Sequence, residues 1–283
     1  MSTTTLTDKC AGCGAELSGQ RFCGACGERK LGSDDYSLLH FFEHALHEVT
    51  SVDAKALRSA WALLARPGFL TSEFLAGRRR QYLKPMTVFV LTNAAFFLIS
   101  YRFGLFHTKL TGFLSGDLGS LYTPLVARKA AALGLTAEQF GQRFDQIVPD
   151  IQRLLFFFSM PALAAVLAPI FRRRYFVEHL VYSTHFHAFF LLFTVIWLPL
   201  LFIVFGLVAY AGWLAPFQFF TKQGVMLPLL AGMAVYHGIA IPKVYGMGRA
   251  GALALAVVLP IAVVAFWQYG FRPLSFFAAF ALV

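Results

Sequence analysis

Four cysteines, Cys10, Cys13, Cys23 and Cys26, stand in the stretch "CAGCGAELSGQRFCGACGE", and they are all the cysteines in the chain. Each CxxC pair is followed by glycine, Gly14 or Gly27, so two tight knuckles can aim four thiolates at one tetrahedral ion. Zinc is the expected ion; iron and a redox or disulfide role are the other chemistries such a set allows. Nine residues separate the pairs, against the usual spacer of about 15 to 20, which predicts a miniature ribbon over residues 1–31. A closed four-cysteine site has no open coordination position, so the expected zinc is a structural cofactor.

A second group lies in "FVEHLVYSTHFHAFF", where Glu178, His179, Tyr182, His185 and His187 sit where an apolar run begins. Helical spacing puts Glu178, Tyr182 and His185 on one stripe and His179, Ser183 and His187 on the adjoining one. A polar face that broad is costly against lipid, so it should face a bundle interior or a wet cavity. His237, preceding "IPKVYG", is expected to join it at the level of Glu178 and His179. Imidazoles and a carboxylate could ligate a metal, relay protons or form a buried hydrogen-bond network.

The elements that would position these groups belong to a membrane protein. Of 283 residues, 58 % are hydrophobic and 13 % charged, and the mean hydropathy is +0.65, too apolar for an ordinary soluble domain. Nine of 14 acidic residues precede position 85, and from 151 onward Glu178 stands alone. Five spans are expected, at about 86–101, 154–171, 184–208, 225–241 and 250–269, in an all-α integral membrane domain over residues 85–283. The tail "FFAAFALV" is too short to cross again and is expected along the outer surface.

Residues 34–84 read as cytosolic or interfacial amphipathic helices. One, capped by Ser37, carries His40, His44 and His47 on its polar face, a stripe that could bind metal or sense pH. The next, Asp53 to Ala65, puts Leu57, Trp61 and Leu64 on one side, with Lys55, Arg58 and Ser59 elsewhere, and stops at Pro67. "RRRQYLKP" then supplies Arg78, Arg79, Arg80 and Lys84 as cytoplasmic anchor cations that could meet anionic lipid. In the long loop before the second span, Thr136 and Gln139 make a capping box for a surface helix with Phe140, Phe144, Ile147 and Val148 as its apolar stripe.

The N-terminus shows no basic flank followed by an apolar run, so it is expected to stay in the cytosol. There a reducing environment disfavours disulfides. "RRR" at 172–174, against the lone Lys222, and the cations before residue 85 are expected to place those segments inside. The net charge of +10 would also suit nucleic acid, but the basic segments abut spans, so the bilayer is the better partner. A protein partner at the ribbon and assembly into a homo-oligomer are further expectations.

The paired CxxCG ribbon, "RPGFLTSEFLAGRRRQYLKPMTVFVLTNAAFF" and "FVEHLVYSTHFHAFF" together resemble an uncharacterised family of bacterial inner-membrane proteins with an N-terminal zinc ribbon. The resemblance covers Cys10 to about Phe190 and implies a multi-pass cytoplasmic-membrane location without assigning an activity. From the residues, a non-catalytic sensor or assembly factor leads. A proton-coupled transporter or channel using Glu178 and the histidines is the first alternative, and a His/Glu metal-dependent membrane enzyme the second. The cluster has few imidazoles and no HxxxH pair, the chain shows no nucleophile motif or phosphate loop, and five spans form no inverted repeat.

Overall fold

A computed structural model describes residues 9–17, 20–28, 30, 54–103, 108–210 and 222–283. The expected helix carrying His40, His44 and His47 lies outside the described residues. Ten α-helices are described: α1 Ala54–Ala65, α2 Phe69–Leu75, α3 Pro85–Phe103, α4 Leu110–Leu114, α5 Gly119–Ala132, α6 Ala137–Leu167, α7 Phe176–Tyr210, α8 Lys222–Tyr245, α9 Arg249–Phe266 and α10 Arg272–Leu282. A π-helical turn, Trp267–Phe271, joins α9 to α10. The cysteine stretch has one isolated bridge, Lys9 with Glu16.

Four helical segments are long and apolar enough to cross a membrane: Ala137–Leu167, Phe176–Leu200, Met226–Tyr245 and Arg249–Leu282; Pro85–Ser100 is a shorter apolar helix. Together they point to a membrane protein: among the described residues four of the five expected spans fall on such segments with moved boundaries, and the first falls on the shorter helix. Contacts divide the chain into two compact units, Met1–Phe96 with Leu163–Pro260, and Phe97–Ala162 with Ile261–Val283.

In the first unit, α1 stops where Pro67 disfavours helical geometry in the residue before it, and Gly68 turns the chain at φ 76°. The face of α1 that packs inward is Ser59, Ala62 and Leu63, while Leu57 and Trp61 are 78 % and 68 % exposed. The expected apolar side is therefore the outer one: the Ser59 hydroxyl is drawn inward to accept the Leu83 N–H at 2.9 Å. Helix α2 ends on Gly77 at φ 84°, with the Arg78 N–H returning to the Glu73 carbonyl at 2.9 Å. Pro85 then opens α3, where a missing N–H costs nothing.

Helix α7 starts at Phe176 rather than near Thr184. The polar cluster is thus inside the apolar segment itself, which is the most buried of the four. It is the central helix of its unit.

In the second unit the capping box forms as expected: the Gln139 N–H reaches Thr136 Oγ1 at 3.2 Å and the Thr136 N–H reaches Gln139 Oε1 at 2.9 Å. The helix it starts does not stop in a loop. It continues through Pro149 and Pro161 to Leu167, so the expected surface helix and the second span are one 31-residue element. Each proline removes one backbone hydrogen bond, while Phe140, Phe144 and Val148 are fully packed on the same face.

The tail is helical and packed. Residues 272–282 form α10, and Phe276 and Ala279 are buried with Leu110, Phe113, Tyr122, Val126, Phe140 and Phe144. Phe276 stacks on Tyr122 at 3.8 Å between centroids. The Lys129 ammonium donates to the Phe280 and Ala281 carbonyls, closing the C-terminal end of α10 where carbonyls lack helical partners.

Candidate functional site

The two CxxC knuckles are one local structure made twice. Gly14 and Gly27 take φ of 77° and 73°, the left-handed region where glycine carries no Cβ penalty. The Gly14 N–H returns to the Cys10 carbonyl at 2.9 Å and the Gly27 N–H to the Cys23 carbonyl at 2.7 Å. Sulfur then meets sulfur across the pairs, Cys10 to Cys26 at 3.5 Å and Cys13 to Cys23 at 3.6 Å, as free thiols.

All four Sγ atoms lie within 4.8 Å of one another. A tetrahedral ion with bonds of about 2.3 Å would set its sulfurs about 3.8 Å apart, so the donor set is compatible with zinc. The Cys26 backbone N–H, acting on the Cys23 sulfur, is the main cause holding that thiol down to about 6. Among the described residues, no other group of three or more histidine, cysteine or acidic side chains converges in this way.

The knuckle is tied to the rest of its unit through Glu28. Its carboxylate is buried and accepts the Arg80 N–H at 3.1 Å. Arg80 belongs to the segment that joins α2 to α3, so this one bond reaches the chain just before the first apolar helix.

At the other end of that segment, α2 is pressed into the helices. A Cβ at Gly68 would stand 2.7 Å from the Ala240 Cα, so only glycine lets the turn approach α8 this closely. Leu70 and Thr71 are consequently buried, and Thr71 Oγ1 lies 3.0 Å from His185 Nδ1 on α7.

The remaining cluster residues make separate pairs. Tyr182 Oη meets His237 Nδ1 at 2.7 Å, His179 Nδ1 meets Tyr245 Oη at 3.0 Å, and His187 Nδ1 donates to the Ser183 carbonyl at 2.8 Å. His237 therefore stands at the level of Tyr182, deeper than the expected level of Glu178 and His179. Aromatic rings fill the space between the pairs: Phe186 is 4.4 Å from His237 and 5.5 Å from Tyr236, centroid to centroid. The Nε2 atoms of His179, His185 and His237 are buried with no hydrogen-bond partner among the described residues.

Glu178 takes a different partner. Arg174, one turn earlier, holds its carboxylate at 3.0 Å and reaches the Val244 carbonyl at 3.5 Å with its other nitrogen. The stripe expected to act together is thus divided: Glu178 to Arg174, Tyr182 to α8, His185 to α2.

Two of the expected anchor cations are also engaged. Arg78 forms a two-pronged pair with Glu73, at 2.8 and 2.5 Å, and its hydrogen bonds hold the Glu73 carboxyl below the usual carboxylate range. Arg79 donates to the Phe74 carbonyl at 3.2 Å with its guanidinium 4.1 Å over the Phe74 ring.

These contacts give one stretch of chain unusual reach. Residues 53–97 match the model of a family described as protein of unknown function (DUF3667). That stretch spans α1, α2, the basic segment and much of α3, and it includes Thr71, Glu73 and Arg80. No curated protein matches the chain, and no solved structure does.

Thr71, Tyr245 and Arg174 are the site residues that sequence reasoning passed over. Thr71 carries no signal within "FLTSEFL", because its partner is 114 residues away. Gly68 and the helix-ending Pro67 mark the turn that seats it.

Proposed function

We propose that the chain is a non-catalytic sensor or assembly factor of the bacterial cytoplasmic membrane. Its N-terminus is cytoplasmic, and a zinc ion held by Cys10, Cys13, Cys23 and Cys26 sets the position of α2 against the membrane helices. One observation carries the reading: the ten residues from Thr71 to Arg80 hold both His185 in the helical interior and Glu28 on the cysteine knuckle. Metal loading orders the knuckle, because four thiolates brought together without a cation repel. An ordered knuckle presents Glu28 to Arg80 and keeps α2 seated. A partner protein would read that position from the cytosolic face.

The interior pairs support a holding role. Thr71 with His185, Tyr182 with His237 and His179 with Tyr245 each join two different elements, the arrangement expected of hydrogen bonds that set helix register. A proton-coupled transporter is the second reading, favoured by the three unpartnered Nε2 atoms. Against it stands the engagement of Glu178, the one carboxylate of α7, by Arg174. The test is backbone hydrogen exchange of α2 in lipid nanodiscs, with and without metal, alongside proton flux in liposomes for the wild type and Glu178→Gln. Sensing predicts metal-dependent protection of α2 and no flux; transport predicts a flux that Glu178→Gln abolishes.

A further inference from the structure

A candidate site lies on α1. A groove of about 320 Å³ runs along the outer face of α1, lined by Leu57, Arg58, Trp61, Ala62, Arg66 and Tyr82. Its lining pairs an apolar, aromatic floor with two guanidinium groups and contains no acidic residue.

The depth of this groove follows from what holds α1. Ser59, on the opposite face, accepts the N–H of Leu83, two residues before α3 begins at Pro85. Helix α1 is therefore fixed beside the start of a short apolar helix. Tyr82 sits edge-on to Phe69 at 5.5 Å, and the Arg66 guanidinium stands 5.6 Å from the same ring, so the groove's far wall is fixed as well.

In water, an exposed tryptophan and leucine side by side are a liability. At a membrane boundary, tryptophan and tyrosine with flanking arginine are the expected composition. We infer that the α1 groove is a binding site for an anionic phospholipid, its phosphate held by Arg58 and Arg66 and its glycerol and upper acyl chain lying on Leu57 and Trp61. Charge complementarity selects the anionic headgroup, and the apolar floor selects a lipid over a soluble phosphate.

The test uses the full chain, delipidated in uncharged detergent and returned to mixed micelles with phosphatidylglycerol or phosphatidylcholine. Lipid retained per chain is counted by native mass spectrometry. Wild type should retain phosphatidylglycerol preferentially, and each of Arg58→Gln and Arg66→Gln should weaken that retention about fivefold. Trp61→Ser, which keeps both charges, should weaken it too, whereas Arg172→Gln with Arg173→Gln should not. Both arginines and Trp61 are on the exposed face, and an unchanged melting temperature without added lipid confirms that each variant folds. Retention unchanged in the Arg58 and Arg66 variants would overturn the site. Competition by soluble glycerol phosphate as effective as the lipid would overturn its assignment to lipid.

Discussion

Thr71 and His185 are separated by 114 residues of chain and by 3.0 Å in space, hydroxyl oxygen to Nδ1, with both side chains buried. The bond joins a seven-residue helix to the central apolar helix. Short helices have little stability of their own, so α2 depends on this contact and on the packing around Gly68.

Thr71→Val keeps the shape of the side chain and leaves His185 Nδ1 buried without a partner. The expected loss is about 1–2 kcal/mol, read as a lower melting temperature in mild detergent. His185→Phe should cost a similar amount, and the double variant less than the sum, since the two residues share one interaction.

Gly68→Ala tests the close approach to α8. It combines a left-handed φ of 76° with a Cβ 2.7 Å from the Ala240 backbone, for a cost above about 2 kcal/mol. Gly246→Ala is the control: φ is 68° there, but nothing lies within 4 Å, so only the backbone penalty of about 1 kcal/mol is expected. Thermal unfolding of the two variants should separate them clearly.

The Glu73–Arg78 pair predicts a small acid sensitivity. Glu73 has its folded-state pKa lowered by Arg78, so its contribution is present above the ordinary glutamate value of about 4.3 and is lost as pH falls through the folded value. Arg78 is 43 % exposed, and screening keeps the effect below about 1 kcal/mol. Wild type should exceed Glu73→Gln in stability at pH 6, and the gap should close as the pH falls below the ordinary glutamate value.

Phe276→Ala should open the second unit. The ring is fully buried and stacked on Tyr122, so its removal is expected to cost about 3–5 kcal/mol locally. Faster tryptic cleavage after Arg128 and Lys129 would report it, with α7 and α8 unaffected.

What could be read from the chain was whatever depended on near neighbours. The cysteine knuckles need only CxxCG, and the capping box needs only Thr136 and Gln139; both are local, and both formed. The α1 face inverted because Ser59 answers to an N–H at Leu83, a partner that periodicity within α1 does not reveal. The surface helix and the second span read as separate elements because the packing that carries α6 through Pro149 comes from α4, α5 and α10. The histidines were legible as a polar face, but not which neighbour each would take. His237 lies 55 residues from Tyr182, and nothing in "VYHGIAIPK" distinguishes that partner from Glu178.

The most direct measurement is hydrogen exchange over residues 69–84 in nanodiscs, before and after chelation, with bound metal counted in the same samples. The account predicts one zinc per chain, unaffected by His185→Ala, and faster exchange of α2 once the metal is removed. Exchange in α2 that ignores chelation, or a second metal that leaves with His185→Ala, would contradict it.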